Sequence, residues 1–160
     1  KVADREFKVH KFIFAARSHT FAGLIENNPE ADDLELQDIP VEIFESILSY
    51  VYTDELPNTE NILEIFTAAE KLKITGLIEL TAGILLSSIQ NEKNLTLLHK
   101  ILSLAGKFEH EELKLKAFEE IKKHFPGRNL KEELANHPEK LKSLINAKIV
   151  LEQQLEDLEI

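Results

Sequence analysis

The chain has 160 residues, of which 43% are hydrophobic and 30% charged, so it has enough apolar material for a packed core, which argues against disorder. The formal net charge of −10 repels phosphate backbones and anionic lipid, which makes nucleic acid and membrane surfaces poor candidates for partners. There is no cysteine, and this excludes disulfide bonds and thiolate metal sites.

The chain shows none of the usual signals for export or membrane insertion. No apolar run approaches the roughly 20 residues that span a bilayer, and no signal peptide is visible. Together with the lack of cysteine, this favours an intracellular protein of the nucleus or cytoplasm. Because the sequence begins with Lys1 rather than Met, we expect it to be a segment of a longer protein.

The first quarter of the chain predicts two short strands that flank a broken helical segment. Residues 6–9 (EFKV) alternate polar and apolar side chains, as a half-buried strand does. Residues 12–25 have helical spacing that breaks near Ser18. Residues 31–39 (ADDLELQDI) alternate again at Leu34 and Leu36 and predict the second strand.

From Pro40 onward the apolar spacing becomes helical. Pro40 suits the first turn of a helix, where its missing N–H costs nothing. Residues 53–61 (TDELPNTEN) predict a turn, and residues 125–128 (FPGR) predict a break. The apolar stripes are Val41, Phe44, Ile47, Leu48, Val51 and Tyr52; Ile62, Ile65, Phe66, Ala69 and Leu72; Leu77, Leu80, Ile84, Leu85 and Ile89; Leu95, Leu98, Ile101, Leu102 and Ala105; and Leu113, Ala117, Phe118 and Ile121.

A last helix is predicted to begin at Asn136, an N-cap residue with Glu139 three positions further on. Its leucines at 141, 144, 151, 155 and 158 favour an amphipathic helix over a coiled coil. Strands in the first quarter followed by helices predict the α+β class, with a small mixed sheet covered by a helical cluster and a C-terminal helical extension.

The sequence carries no recognisable catalytic or cofactor motif. None of its six histidines has the spacing of a metal site, and its five glycines are scattered singly, so there is no glycine-rich phosphate loop. No G-x-S-x-G motif is present. We therefore expect a protein that is not an enzyme and has neither cofactor nor metal. An unrelated helical enzyme stays open, and a defined pocket with perturbed histidines would favour it.

Residues 10–21 (HKFIFAARSHTF) resemble the motif H-K-x-x-L-A-A-R-S-x-x-F of the BTB/POZ family. Residues 34–56 (LELQDIPVEIFESILSYVYTDEL) are similar to the family's strand and the helix that ends in Y-T-G, with Asp54 in place of the glycine. Residues 62–85 (ILEIFTAAEKLKITGLIELTAGIL) are similar to its L-L-x-A-A-x-K-Y helix pair, with Leu72 in place of the tyrosine. In this fold His10 is expected to be a structural histidine that fixes a corner by hydrogen bonding to nearby backbone.

The resemblance implies two domains. Residues 1–89 resemble a BTB/POZ domain without its first helix and strand, and residues 90–160 resemble the helical extension called the three-box or BACK, as in speckle-type POZ proteins. It also implies an interaction module, namely a substrate adaptor that binds the cullin scaffold of a ubiquitin ligase, forms a homodimer and takes its substrate through another domain. The alternative is a homo- or hetero-oligomerisation scaffold of the transcription-regulator type.

The resemblance also implies two sets of contact residues. The dimer interface is expected to contain Phe12, Ile13, Phe14 and Arg17. The cullin-binding residues are expected to be Leu24, Ile25, Glu26, Pro29, Glu30, Tyr50, Tyr52, Leu98 and Leu102. Because interface energy usually resides in a few apolar or aromatic anchors, we expect Leu24, Ile25 and Tyr52 to matter more than the acids.

Overall fold

The computed structural model describes residues 1–2, 4–30, 35–36, 38–90 and 92–124. These residues form seven α-helices that follow one another along the chain. They are α1 (Lys11–Arg17), α2 (His19–Asn27), α3 (Val41–Thr53), α4 (Ile62–Leu72), α5 (Thr75–Ile89), α6 (Leu95–Lys107) and α7 (Glu111–His124). The helices that carry the apolar stripes from Val41 to Ile121 and the break at Ser18 were predicted correctly, although Tyr52 and Leu80 of those stripes are exposed.

The predicted sheet was wrong, because the described residues are helical and contain no strand. Val2 forms isolated bridges, antiparallel with Arg5 and parallel with Leu36. Residues 6–9 have the alternation that was predicted, with Phe7 and Val9 half-buried against the core and their neighbours exposed. Alternation decides which side chains face the core, but a strand also needs a hydrogen-bonded partner along its length. The part of the chain that the structure describes is therefore helical rather than α+β.

Several predictions concern residues that lie outside the described ones. These are residues 31–34 and 37 of the second strand, the break at 125–128 and the last helix from Asn136 with its five leucines.

The chain divides into two compact units, the first of which comprises Lys1–Ser87 while the second begins at Ser88. In the first unit, α1 packs on α2 and α3, and α4 packs on α2 and α3. Phe14 of α1 is fully buried at the centre of an aromatic cluster. Its ring centroid lies 4.9 Å from that of Phe21 and 6.1 Å from that of Phe44.

In the second unit, α6 and α7 pack against each other. Asn94 begins α6 as its N-cap, because its side-chain oxygen accepts a hydrogen bond from the Leu97 N–H at 3.2 Å. The two helices are joined by a short connection in which Glu109 has a positive φ of 59°. The hydrophobic side chains buried on α6 and α7 are Leu98, Ile101, Leu102, Ala105, Leu113, Ala117, Phe118 and Ile121.

Candidate functional site

The first candidate surface is the outer face of α1. Phe12 is 88% exposed and Ile13 is 37% exposed, whereas Phe14 is completely buried. Phenylalanine is usually buried, and here an exposed one adjoins a second partly exposed apolar residue, so the outer face of α1 is a candidate binding surface. We call Phe12, Ile13 and Arg17 the α1 surface. Phe14 lies beneath this surface in the core, and its assignment to a dimer interface stays a prediction.

His10 and Tyr52 connect the beginning of α1 to the last turn of α3. The Tyr52 hydroxyl oxygen lies 3.0 Å from the backbone nitrogen of His10, which donates to it, and 2.8 Å from His10 Nδ1. The two rings meet edge to face with centroids 5.9 Å apart. His10 thus fixes the corner before α1, but its partner is a side-chain hydroxyl rather than the backbone predicted from the sequence.

Arg17 and Asp54 connect the end of α1 to the end of α3. Arg17 donates two hydrogen bonds to the Asp54 carboxylate, at 2.6 Å to Oδ1 and 2.8 Å to Oδ2. This bidentate geometry is the strong form of a charge-assisted pair. The hydrogen bonds from Arg17 lower the pKa of Asp54, and the same bonds raise the pKa of Arg17.

The backbone of Asp54 is in the left-handed region, with φ 61° and ψ 14°, where it ends α3 as the C-cap. Glycine adopts this conformation freely, whereas a side chain with a β-carbon disfavours it, aspartate less than most. The sequence therefore places an acid where the backbone favours glycine, and the acid contacts Arg17. An acid at such a helix end is the signal in the sequence that could have identified this pair.

Three consecutive residues after α1 bind the carboxyl end of α4. Buried Ser18 accepts a hydrogen bond from the Phe21 N–H at 3.1 Å as the N-cap of α2, and its hydroxyl donates to the Leu72 carbonyl. The His19 N–H donates to the Lys73 carbonyl at 3.3 Å, and the Thr20 hydroxyl donates to the Lys71 carbonyl at 3.0 Å. The last carbonyls of a helix have no hydrogen-bond donor within the helix. Residues 18–20 supply donors to three carbonyls at this end of α4.

The residues predicted to bind a cullin lie in different parts of the fold. Leu24 and Ile25 are half-buried on α2, which packs on α1 and α4, while Glu26, Pro29 and Glu30 are exposed. Tyr52 is 41% exposed and lies against α1, and Tyr50 is buried with its pKa raised by burial. Leu98 and Leu102 are buried on α6 of the second unit. All nine assignments stay predictions.

Neither a metal-binding cluster nor a membrane-spanning helix is found among the described residues. Among them, no group of three or more histidine, aspartate or glutamate side chains is arranged to hold a metal. No helix in this part of the chain is long and apolar enough to cross a membrane.

The α1 surface thus carries an exposed aromatic side chain on a helix whose two ends are held by polar contacts. The family model described as the BTB/POZ domain matches residues 1–89, which is more than half of the chain. The chain belongs to the BTB/POZ domain family. This is a family of interaction modules rather than catalysts, and its domains self-associate and bind other proteins.

Curated proteins from mouse and from a plant are similar to this chain. It is 30% identical over 129 residues to "TD and POZ domain-containing protein 3" of Mus musculus, covering 77% of this chain and 34% of that protein. It is 33% identical over 134 residues to "BTB/POZ and MATH domain-containing protein 3" of Arabidopsis thaliana, covering 74% of this chain and 31% of that protein. The chain thus spans about a third of the length of these relatives.

Proposed function

We propose that this protein is a substrate adaptor that binds the cullin scaffold of a ubiquitin ligase and associates with a second copy of itself. The observation that carries the proposal is the packed pair α6 and α7, which follows the segment matched by the BTB/POZ family. A helical pair in this place is what the resemblance to speckle-type POZ proteins leads us to expect of a three-box or BACK-like, cullin-binding extension. In this proposal residues 1–89 are the BTB/POZ domain and residues 90–160 the extension.

The cullin contact is proposed to begin at the end of α2. Leu24 and Ile25 keep part of their apolar surface in water, so a partner that covers them gains the free energy of burying it. The exposed carboxylates of Glu26 and Glu30, with Pro29 between them, are placed to attract a basic partner surface and to raise the rate of encounter.

The remaining cullin residues are proposed to act from α3 and α6. Tyr52 offers an aromatic ring that is 41% exposed. The buried Tyr50 is proposed to act indirectly, by packing in the core and holding α3 in position. Leu98 and Leu102 are buried on α6. We propose that their packing holds this helix in the position in which its exposed side contacts the cullin. The substrate would be held by another domain of the protein, in the nucleus or the cytoplasm.

Self-association is proposed to use the α1 surface, with Phe14 as its support. Burying the exposed ring of Phe12 in a second copy removes a large apolar area from water. In a dimer with a twofold axis, each copy contributes the same surface to the interface. The Phe12 side chain would therefore be buried at two equivalent places.

An oligomerisation scaffold that binds no cullin, as in transcription regulators with this domain, is the second candidate. The exposure of Phe12 favours it, because the α1 surface lies entirely within residues 1–89 and needs nothing from α6 and α7.

Calorimetric titration with the N-terminal half of the cullin that serves BTB adaptors separates the two candidates. We expect binding that weakens about tenfold or more in Leu24→Ala and Tyr52→Ala variants, as for interface anchors. Leu80→Ala is the matched control, since Leu80 is a leucine 38% exposed on α5, outside the proposed contact. A folded, dimeric protein that binds no cullin would contradict the adaptor proposal and favour the oligomerisation scaffold.

A further inference from the structure

The α1 helix is too short to hold its own shape. It has seven residues and no side-chain hydrogen bond at its N-cap, His10. Isolated helices of this length are unstable in water, because the cost of the first turn is not recovered over so few residues. The position of the α1 surface therefore depends on the contacts that α1 makes with its neighbours.

Those contacts hold both ends of α1 against the carboxyl end of α3. The residue before α1, His10, is bound to Tyr52, and the last residue of α1, Arg17, is bound to Asp54. Phe14, between them, lies completely buried in the core. The exposed side chains Phe12 and Ile13 are thus carried on a helix with one apolar anchor and two polar ones.

Asp54 is the unusual member of this set. Its left-handed backbone disfavours every residue except glycine to some degree, yet the position holds an acid that makes a bidentate contact with Arg17. Its side chain is 59% exposed, so the pair is not needed to neutralise a buried charge. The geometry favours a role in orienting Arg17 and with it the end of α1.

We propose that Asp54 is a positioning residue for self-association, which holds α1 through Arg17 so that Phe12 and Ile13 are presented in the conformation that binds a second copy. This inference rests on the self-association proposed above and adds which residue holds the self-association surface in its binding conformation. Pre-organising a binding segment raises affinity by removing the ordering cost from the binding step.

Sedimentation equilibrium of the whole chain and its variants tests the proposal. We expect Phe12→Asp to make the protein monomeric. Asp54→Gly keeps a residue that tolerates the left-handed backbone but removes the carboxylate, and we expect it to raise the dimer dissociation constant about three- to tenfold, since each of two copies loses one exposed pair. Glu119→Gln, which removes another exposed ion pair, with Lys116 on α7, is the control and should leave the constant unchanged.

Hydrogen exchange measures the local opening of α1 separately from the global unfolding of the protein. In the Phe12→Asp background, the amides of Phe14 and Ser18, which bond to the carbonyls of His10 and Phe14, report the opening of α1. We expect Asp54→Gly to speed their exchange about two- to threefold, the share of one exposed pair. The midpoint of global unfolding should change little, because glycine relieves the left-handed backbone at position 54 and so offsets the lost pair.

The outcomes distinguish the two proposals. If Phe12→Asp abolishes the dimer but Asp54→Gly changes neither the dissociation constant nor the exchange of α1, the positioning role is wrong and the self-association surface stands. If Phe12→Asp leaves the dimer intact, self-association through α1 is wrong, and the positioning of a self-association surface fails with it.

Discussion

The hydroxyl oxygen of Tyr50 lies 2.6 Å from the place that a β-carbon would occupy on Gly76. Tyr50 is buried on α3, and Gly76 is the second residue of α5, so the tyrosine hydroxyl occupies the space that a side chain at position 76 would need. A real β-carbon is essentially never found so near an oxygen. Position 76 therefore requires glycine for space rather than for backbone conformation.

We expect Gly76→Ala to lower the free energy of unfolding by about 1–3 kcal/mol, because the added methyl group must displace the buried tyrosine. The control is Gly83→Ala in the same helix, where nothing lies within 4 Å of the added carbon. That change should raise stability by up to ~1 kcal/mol, since alanine favours a helix more than glycine does. Urea titrations of both variants measure the difference.

A second substitution tells whether the clash is the cause. Tyr50→Phe removes the oxygen that the alanine would meet, so Gly76→Ala should cost less in the Tyr50→Phe protein than in the original. An equal cost in both backgrounds would mean that the methyl group acts on something other than Tyr50.

Ser18→Ala should lower the free energy of unfolding by about 2 kcal/mol, because it removes the N-cap of α2 and leaves the Leu72 carbonyl without its donor. Ser87→Ala removes a hydroxyl that bonds the Gly83 carbonyl on the exposed part of α5 and should change stability by less than ~0.5 kcal/mol. Thermal and urea unfolding of the two alanine variants provide the comparison, and similar losses would contradict a special role for Ser18.

A double-mutant cycle separates the two hydrogen bonds of the Tyr52 hydroxyl. His10→Ala removes the bond to the ring but keeps the bond from the backbone N–H, whereas Tyr52→Phe removes both. We expect Tyr52→Phe to cost about 0.5–1.5 kcal/mol and a smaller amount after His10→Ala. Equal costs in the two backgrounds would show that the imidazole contributes nothing.

The Arg17–Asp54 pair should make part of the stability depend on pH. Because the hydrogen bonds from Arg17 lower the pKa of Asp54 in the folded state, the contribution is complete above the unfolded value of about 3.8 and is lost as pH falls through the lower folded value. The variant Asp54→Asn tolerates the same backbone but carries no charge. The stability difference between the two proteins should be constant at neutral pH and shrink below about pH 4.

That difference is measured as the separation of the urea midpoints at each pH. High salt should reduce it at neutral pH, because the pair is exposed to solvent. A separation that does not narrow in acid would argue against a role for the Asp54 charge.

The helical part of the fold was predictable because its information is local. Spacings of three and four placed α3 to α7 correctly, and Ser18 marked the division between α1 and α2. The sheet failed because the alternation at Phe7 and Val9 shows which side chains are inward but not whether a second segment pairs with them.

The contacts at the candidate site were less predictable, since they join residues far apart in the sequence. His10 meets Tyr52 and Arg17 meets Asp54 across separations of 42 and 37 residues, which no local pattern encodes. The sequence motif identified the residues of α1, but only the structure shows that Phe12 is exposed and Phe14 is buried.

The bond between Ser18 and the Leu72 carbonyl also has a consequence for synthesis on the ribosome. The two residues are 54 positions apart. At translation rates of about 5–20 residues per second, α1 and α2 leave the ribosome roughly 3–10 seconds before the helix end that they will cap. During this interval the rings of Phe14 and Phe21 can contact each other but lack the helices that later pack over them, so this part of the core is completed only after α4 has been made.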